Sequence, residues 1–262
     1  MKALKYLFNE WWEDYSGRNP SVLKIEKFLE SEGEAFENDH IALRTLSYPG
    51  IDCNALWDYF SRFGYRKCGE YEFPEKKLFA IHLEREGFPK IFISELVYYD
   101  KSFSKFLHDS MHMLSRKLAE WTPGDLIEQK HFWQMSHKAY EVLYSESEYA
   151  AWFYAQGFRP NHFTINVNSL VKLNSITKIN TFIKEKGLQL NQVGGEVKGS
   201  ALEGLVQSST IADSIELDFL EGKFLVPSCY FEFAQRFDVD GKLFQGFISD
   251  SADKLFESTN RL

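Results

Sequence analysis

Two stretches decide how this chain is read: FENDHIALRTL at residues 36–46 and FRPNHFTINV at residues 158–167. Each sets a histidine directly after an Asp or Asn, at the mouth of a run that reads as a strand. In the first, Ile41, Leu43 and Thr45 share one face and His40, Ala42 and Arg44 the other, the two-residue period of a β-strand. The elements after each opening are also alike. After His40 come a helix (NALWDYFSRFGY, ending near Gly64) and two or three strands, among them KKLFAIHLER and PKIFISELVYY on either side of the turn EGFP. After His162 come a helix (NSITKINTFIKEKG, ending at Gly187) and several strands, the last within PSCYFEFAQRF. Strand, helix and several strands therefore occur twice, alike in order more than in residue identity.

Helices are expected around the two copies. MKALKYLFNEWWEDY has apolar residues at 4, 7, 8, 11, 12 and 15, which is helical spacing. NPSVLKIEKFLESEG is a second helix, with Asn19 as N-cap, Pro20 in the first turn and Gly33 as the stop. Between the copies, SKFLHDSMHMLSRKLAEW and HFWQMSHKAYEVLYSESEYAAWFYAQG read as helices joined around TPGD, where Pro123 and Gly124 break the pattern. The expected organisation is one α+β domain over 1–262: a helical lead-in (1–36), module 1 (37–100), a helical insert (101–158), module 2 (159–248) and a tail (249–262).

Composition narrows the partners. A net charge of −8 argues against nucleic acid, whose binding is driven by basic patches. Three cysteines without a CxxC motif argue against a disulfide framework. The first residues carry Glu and Asp through their apolar stretch and lack signal-peptide features, and no apolar run reaches the length of a membrane span. A cytoplasmic protein without a membrane partner is expected.

The closing strands hold lone carboxylates. IFISELV carries Glu95 and YFEFAQRF carries Glu232, each within an apolar run. An acid in such a run either points to solvent or has a buried partner, because burying it alone is costly. Each module thus offers a histidine on its first strand and a glutamate on its last: His40, Glu95, His162 and Glu232. Two imidazoles and one carboxylate with open positions form the facial triad of non-haem iron(II). Arg44, on the face of His40, is placed to clamp a substrate carboxylate with a two-pronged hydrogen bond. His108 and His112 have helical i, i+4 spacing, but Asp109 stands where a zinc peptidase has Glu. His131 and His137 read as surface or packing residues. His82 faces opposite to Ile81 and Leu83 and is a further candidate for lining the pocket.

The motifs DHIALRT, RPNHFTINV, QSSTIAD, YFEFAQRF and SADKLFEST, in this order, resemble the 2-oxoadipate dioxygenase/decarboxylase family, also called hydroxyglutarate synthases. The resemblance spans about Asp39 to Asn260. It implies a vicinal-oxygen-chelate-like fold, with paired βαβββ modules forming a curved mixed sheet around a metal pocket. It implies Fe(II) held by His40, His162 and Glu232, Arg44 holding the substrate, and Asp250 or Ser251 touching substrate through the backbone. Glu95 would be a fourth position, as ligand or just outside the ligands. The implied reaction converts a 2-oxo acid and dioxygen to carbon dioxide and a 2-hydroxy acid one carbon shorter. The chain is shorter than the family's characterised enzymes. Alternatives are a vicinal-oxygen-chelate isomerase, lyase or hydrolase using Zn, Ni or Mn, which a fourth ligand would favour, and a non-catalytic small-molecule-binding protein.

Overall fold

The computed structural model describes residues 2–249. In chain order its helices and strands are α1 (Lys2–Arg18), α2 (Pro20–Ser31), β1 (Asn38–Leu46), α3 (Cys53–Ser61), β2 (Arg66–Phe73), β3 (Leu78–Glu84), β4 (Lys90–Leu96), α4 (Lys105–Leu118), α5 (Pro123–Gln129), α6 (His137–Glu146), α7 (Glu148–Gln156), β5 (Pro160–Asn166), α8 (Ile176–Glu185), β6 (Lys198–Ser200), β7 (Leu205–Ser209), β8 (Ser214–Phe219), β9 (Gly222–Pro227), β10 (Tyr230–Arg236), β11 (Asp238–Val239) and β12 (Lys242–Leu243). The class is α+β, and the doubled order holds. Module 1 is β1-α3-β2-β3-β4. Module 2 is β5-α8-β6-β7-β10, interrupted by the β8–β9 ribbon. Within each, the strands lie side by side in the order second, third, fourth, first: β2-β3-β4-β1 and β6-β7-β10-β5.

The chain falls into two compact units. One comprises residues 2–11, 42–161 and 215–226, the other residues 12–41, 162–214 and 227 onward. In the second unit β10 runs parallel to β5, pairing Tyr230 with His162 and Glu232 with Thr164. β7 runs antiparallel to β10, pairing Ser209 with Glu232 and Gln207 with Ala234.

Strand alternation then sorts chemistry from core. Phe163, Ile165, Phe231 and Phe233 are buried on one face, where Trp12 and Tyr15 of α1 and Phe36 pack against them. Trp12 lies 5.2 Å from the Phe163 ring and 5.8 Å from that of Phe231. Each such aromatic contributes about 2–3 kcal/mol by leaving water. The alternate residues His162, Thr164 and Glu232 are equally buried, but they turn their polar atoms to the other face. Helix α8 covers the apolar side of module 2 with Ile176, Ile179, Phe182 and Ile183, the i, i+3, i+6, i+7 stripe its sequence predicts.

The helical insert differs from expectation. It holds four helices, because three polar residues start new ones. Thr122 accepts from Asp125 N and forms a capping box with it, so TPGD begins α5 instead of only breaking the pattern. Ser136 accepts from Ala139 N and starts α6; Ser147, extended at φ −148° and ψ 106°, accepts from Ala150 N and starts α7. Apolar periodicity continues across such points although the backbone turns. Asn19 also departs from expectation: it occupies the N-cap position of α2 without capping it. Its Nδ2 donates to Tyr15 O and its Oδ1 accepts from Cys229 N.

Candidate metal centre

His40 enters from β1, His162 from β5 and Glu232 from β10, all within the second compact unit. Their ligand atoms lie within 4.8 Å of one another, and all three side chains are buried. The carboxylate is shared between the imidazoles. His162 Nε2 lies 3.3 Å from Glu232 Oε2, and His40 Nε2 lies 3.5 Å from Oε1. A cation with bonds of about 2.1 Å separates neighbouring donor atoms by roughly 3.0–3.4 Å, so these spacings fit one divalent ion. The rings are nearly perpendicular, with centroids 5.5 Å apart. His162 stacks on Tyr230 at 4.6 Å and His40 meets the edge of Phe247 at 4.8 Å.

The surrounding residues hold His40 and Glu232 in place. Asp39 Oδ1 lies 2.8 Å from His40 Nδ1, which leaves Nε2 directed at the cation position, the usual arrangement for a ligating imidazole. Asp39 in turn accepts from Arg236 Nε at 2.6 Å and from Nη2 at 2.8 Å. Burial alone would raise the Asp39 carboxyl; the Arg236 charge and its hydrogen bonds, with His40, instead hold it far below the usual range. Gln207 Nε2 donates to Glu232 Oε1 at 2.5 Å, while Gln207 Oε1 is buried with no hydrogen-bond partner. An unsatisfied acceptor beside a buried carboxyl is costly in a purely structural cluster, and it is a donor atom at hand for a cation or its bound water. Thr164 Oγ1 lies 3.1 Å from His40 Nε2. The donor chemistry, burial and spacing therefore fit a bound divalent metal.

Without a cation the site penalises its own charge. Burial, opposed by the Gln207 hydrogen bond, pushes the Glu232 carboxyl from its ordinary 4.5 up to about 8. The folded chain then binds a proton that the unfolded chain releases, so stability falls as pH rises through that interval. Metal-free protein should lose stability between about pH 4.5 and about pH 8 and level off above. Urea titrations in chelator should show this slope in wild type and a flatter one in Glu232→Gln; an unchanged slope in the variant would assign it to another group.

Glu95 does not join the group, so no fourth ligand comes from it. Its Oε2 accepts from Cys53 N at 2.7 Å, at the first turn of α3, beside the Asp52 cap that accepts from Ala55 N. The carboxylate serves an orphan helix N–H and the positive end of the helix dipole. Glu95→Ala, which leaves the Cys53 N–H without its acceptor, should cost about 1–3 kcal/mol of stability and leave the metal content unchanged; loss of metal would return Glu95 to the centre.

Arg44 is also engaged. Its Nη1 donates to Glu148 Oε1 at 2.8 Å, and its guanidinium lies 4.7 Å from the Tyr149 ring centroid and 4.9 Å from that of Trp152. The half-buried acid that holds it, Glu148 on α7, gave no sign in the sequence. Asp250 and Ser251 lie outside the described residues. His108 bonds to Asp100 O and His112 to Tyr98. His131 packs on Trp133 and His137 stacks on Phe224. Among the described residues, none of these four belongs to a candidate metal group. Asp39, Arg236 and Gln207 were missed as site residues. The signal for Asp39 was the Asp/Asn that precedes both strand histidines.

Fold and centre together define a protein of paired βαβββ modules with a two-histidine, one-carboxylate group. The chain belongs to the 2-oxoadipate dioxygenase/decarboxylase family, whose profile matches residues 125–239. It is 33% identical to the chloroplastic 2-oxoadipate dioxygenase/decarboxylase of Arabidopsis thaliana, over 94% of this chain and 74% of that protein. The crystal structure of the Oryza sativa hydroxyglutarate synthase in complex with 2-oxoadipate superposes with a TM-score of 0.90 at 31% identity, covering 98% of this chain and 92% of that one. A Shewanella frigidimarina crystal structure superposes at 0.85 with 38% identity, covering 94% and 97%. No described helix is long and apolar enough to cross a membrane.

Proposed function

We propose that this chain is an Fe(II)-dependent dioxygenase/decarboxylase that converts a 2-oxo acid of the 2-oxoadipate type to carbon dioxide and a 2-hydroxy acid one carbon shorter. The observation that carries the proposal is the convergence of His40, His162 and Glu232, three buried ligand atoms within 4.8 Å. The family membership and the names of the relatives support the reaction class. Three protein ligands leave three positions of an octahedral ion open, enough for a bidentate substrate and dioxygen. The hydrogen bond from Cys53 N to Glu95 supports three protein ligands at the centre, the arrangement that favours this reading over an isomerase, lyase or hydrolase.

Bound Fe(II) would supply dioxygen activation and a seat for the keto and carboxylate oxygens of the substrate. The chain's residues supply the rest. Asp39 and Arg236 keep His40 oriented, and Gln207 steadies Glu232. Phe247 and Tyr230 form apolar walls against the two imidazoles, which limits water at the reacting atoms. Arg44 is assigned to the substrate carboxylate. For 2-oxoadipate the sum balances with one dioxygen and no external reductant: the first carbon leaves as carbon dioxide, and both oxygen atoms enter 2-hydroxyglutarate.

Oxygen uptake by anaerobically iron-loaded protein, over a panel of 2-oxo acids, tests this directly. Uptake matched one to one by carbon dioxide is expected, highest for dicarboxylic members; fully loaded protein that consumes no oxygen with any of them would end the proposal. Arg44→Lys should cut turnover at least about tenfold with iron binding intact, because Lys keeps the charge but loses the planar fork. Parallel loss of both would contradict the assigned role.

A further inference from the structure

A second group of metal-binding side chains lies in module 1, on the edge strand β2 and its neighbour β3. Cys68, His82 and Glu84 place a thiol, an imidazole and a carboxylate within 4.8 Å of one another. We propose that they form a zinc(II) site, distinct from the centre described above.

The backbone builds this cluster. In the antiparallel β2–β3 pair, Arg66 faces Glu84 and Gly69 faces His82, but the register slips between Lys67 and Gly69. Cys68 is the additional residue of that bulge. A bulge places two consecutive residues opposite one, so Cys68, two residues after the Arg66 that faces Glu84, shares the face of Glu84 and His82, while Gly69 is brought opposite His82 as well. Cys68 thereby joins His82 and Glu84, which share a face as i and i+2. Gly69 makes the arrangement possible. A Cβ there would fall 2.7 Å from both His82 Nδ1 and Tyr71 Oη, so only glycine lets the imidazole lie against the bulge.

The imidazole is already oriented for coordination. Tyr71 Oη lies 2.8 Å from His82 Nδ1, and Glu84 Oε1 lies 2.9 Å from Nε2. One ring nitrogen is held by a hydroxyl while the other faces a carboxylate, the pattern of a ligating histidine with its outer partner. His82 is buried, Glu84 half-buried and Cys68 exposed, so a cation has a path from solvent. Burial and the Glu84 charge raise the Cys68 thiol, with Arg66 and Lys90 opposing them, and a bound dication supplies the charge that favours the thiolate. The donor set selects the ion: a thiolate with an imidazole and a carboxylate suits zinc, with water in the fourth tetrahedral position. Binding releases the thiol proton to solvent and clips the bulge of the edge strand to β3.

Cobalt(II) distinguishes the two centres, because only this one contains sulfur. Chelator-stripped protein titrated with Co(II) should develop a near-ultraviolet sulfur-to-cobalt charge-transfer band, complete by two equivalents because both centres take the ion. His162→Ala should keep the band. Cys68→Ser, a change at an exposed position, should abolish it, and zinc should bleach it in wild type. Absence of the band at excess cobalt, or its survival in Cys68→Ser, would overturn the proposal.

Discussion

Glu232→Ala, loaded anaerobically with Fe(II) and desalted, should carry no measurable iron where wild type carries one ion per chain. The carboxylate supplies an oxygen toward each imidazole, at 3.5 Å from His40 and 3.3 Å from His162, and it is the group's only negative charge. Losing an outer hydrogen-bond partner of a metal ligand costs roughly 10–100-fold in affinity; losing the charged ligand itself should cost more. The variant should still fold, since the substitution removes a carboxyl that burial already disfavours as an anion. Circular dichroism of the metal-free variant separates loss of the site from loss of the fold. His40→Ala should behave in the same way. Full iron occupancy in either folded variant would show that the ligands were misassigned.

Asp39→Ala should produce the largest stability change. Arg236 is buried, and Asp39 holds it through two charge-assisted hydrogen bonds. Removing one partner of a buried pair leaves the other charge uncompensated and costs about 3–5 kcal/mol. For a chain of this size that lowers the melting temperature by roughly 6–20 °C. Iron affinity should also fall, by about 10–100-fold, because His40 loses the group that orients it. In Asp39→Ala/Arg236→Met the stability loss should be smaller than the sum of the single losses, since neither charge is then stranded. An Asp39→Ala protein within about 1 kcal/mol of wild type would mean that Arg236 finds another anion.

The sequence disclosed the modules because both openings keep the strand period and lead into the same order of elements. It offered His40, Glu95, His162 and Glu232 because a polar residue inside an apolar strand needs a partner, and the family resemblance singled out His40, His162 and Glu232, which the structure brings together. It left Glu95 open, as a ligand or just outside the ligands, for the same reason. Symmetry between the modules suggested equal roles, yet the Glu95 carboxylate bonds to the backbone N–H of Cys53, a contact that no strand periodicity encodes. The pairing of Asp39 with Arg236, residues far apart in the chain, and of Arg44 with Glu148 was hidden for a related reason: such contacts depend on register and helix placement. The serines at 136 and 147 and Thr122 carried a readable cap signal that the apolar pattern overran.

The most direct measurement is an anomalous difference map from crystals loaded with Fe(II) under argon. One peak should appear within about 2.0–2.2 Å of His40 Nε2, His162 Nε2 and a Glu232 oxygen. Iron bound elsewhere, or no peak at these three side chains in iron-saturated crystals, would contradict the metal centre and the oxygen chemistry proposed for it.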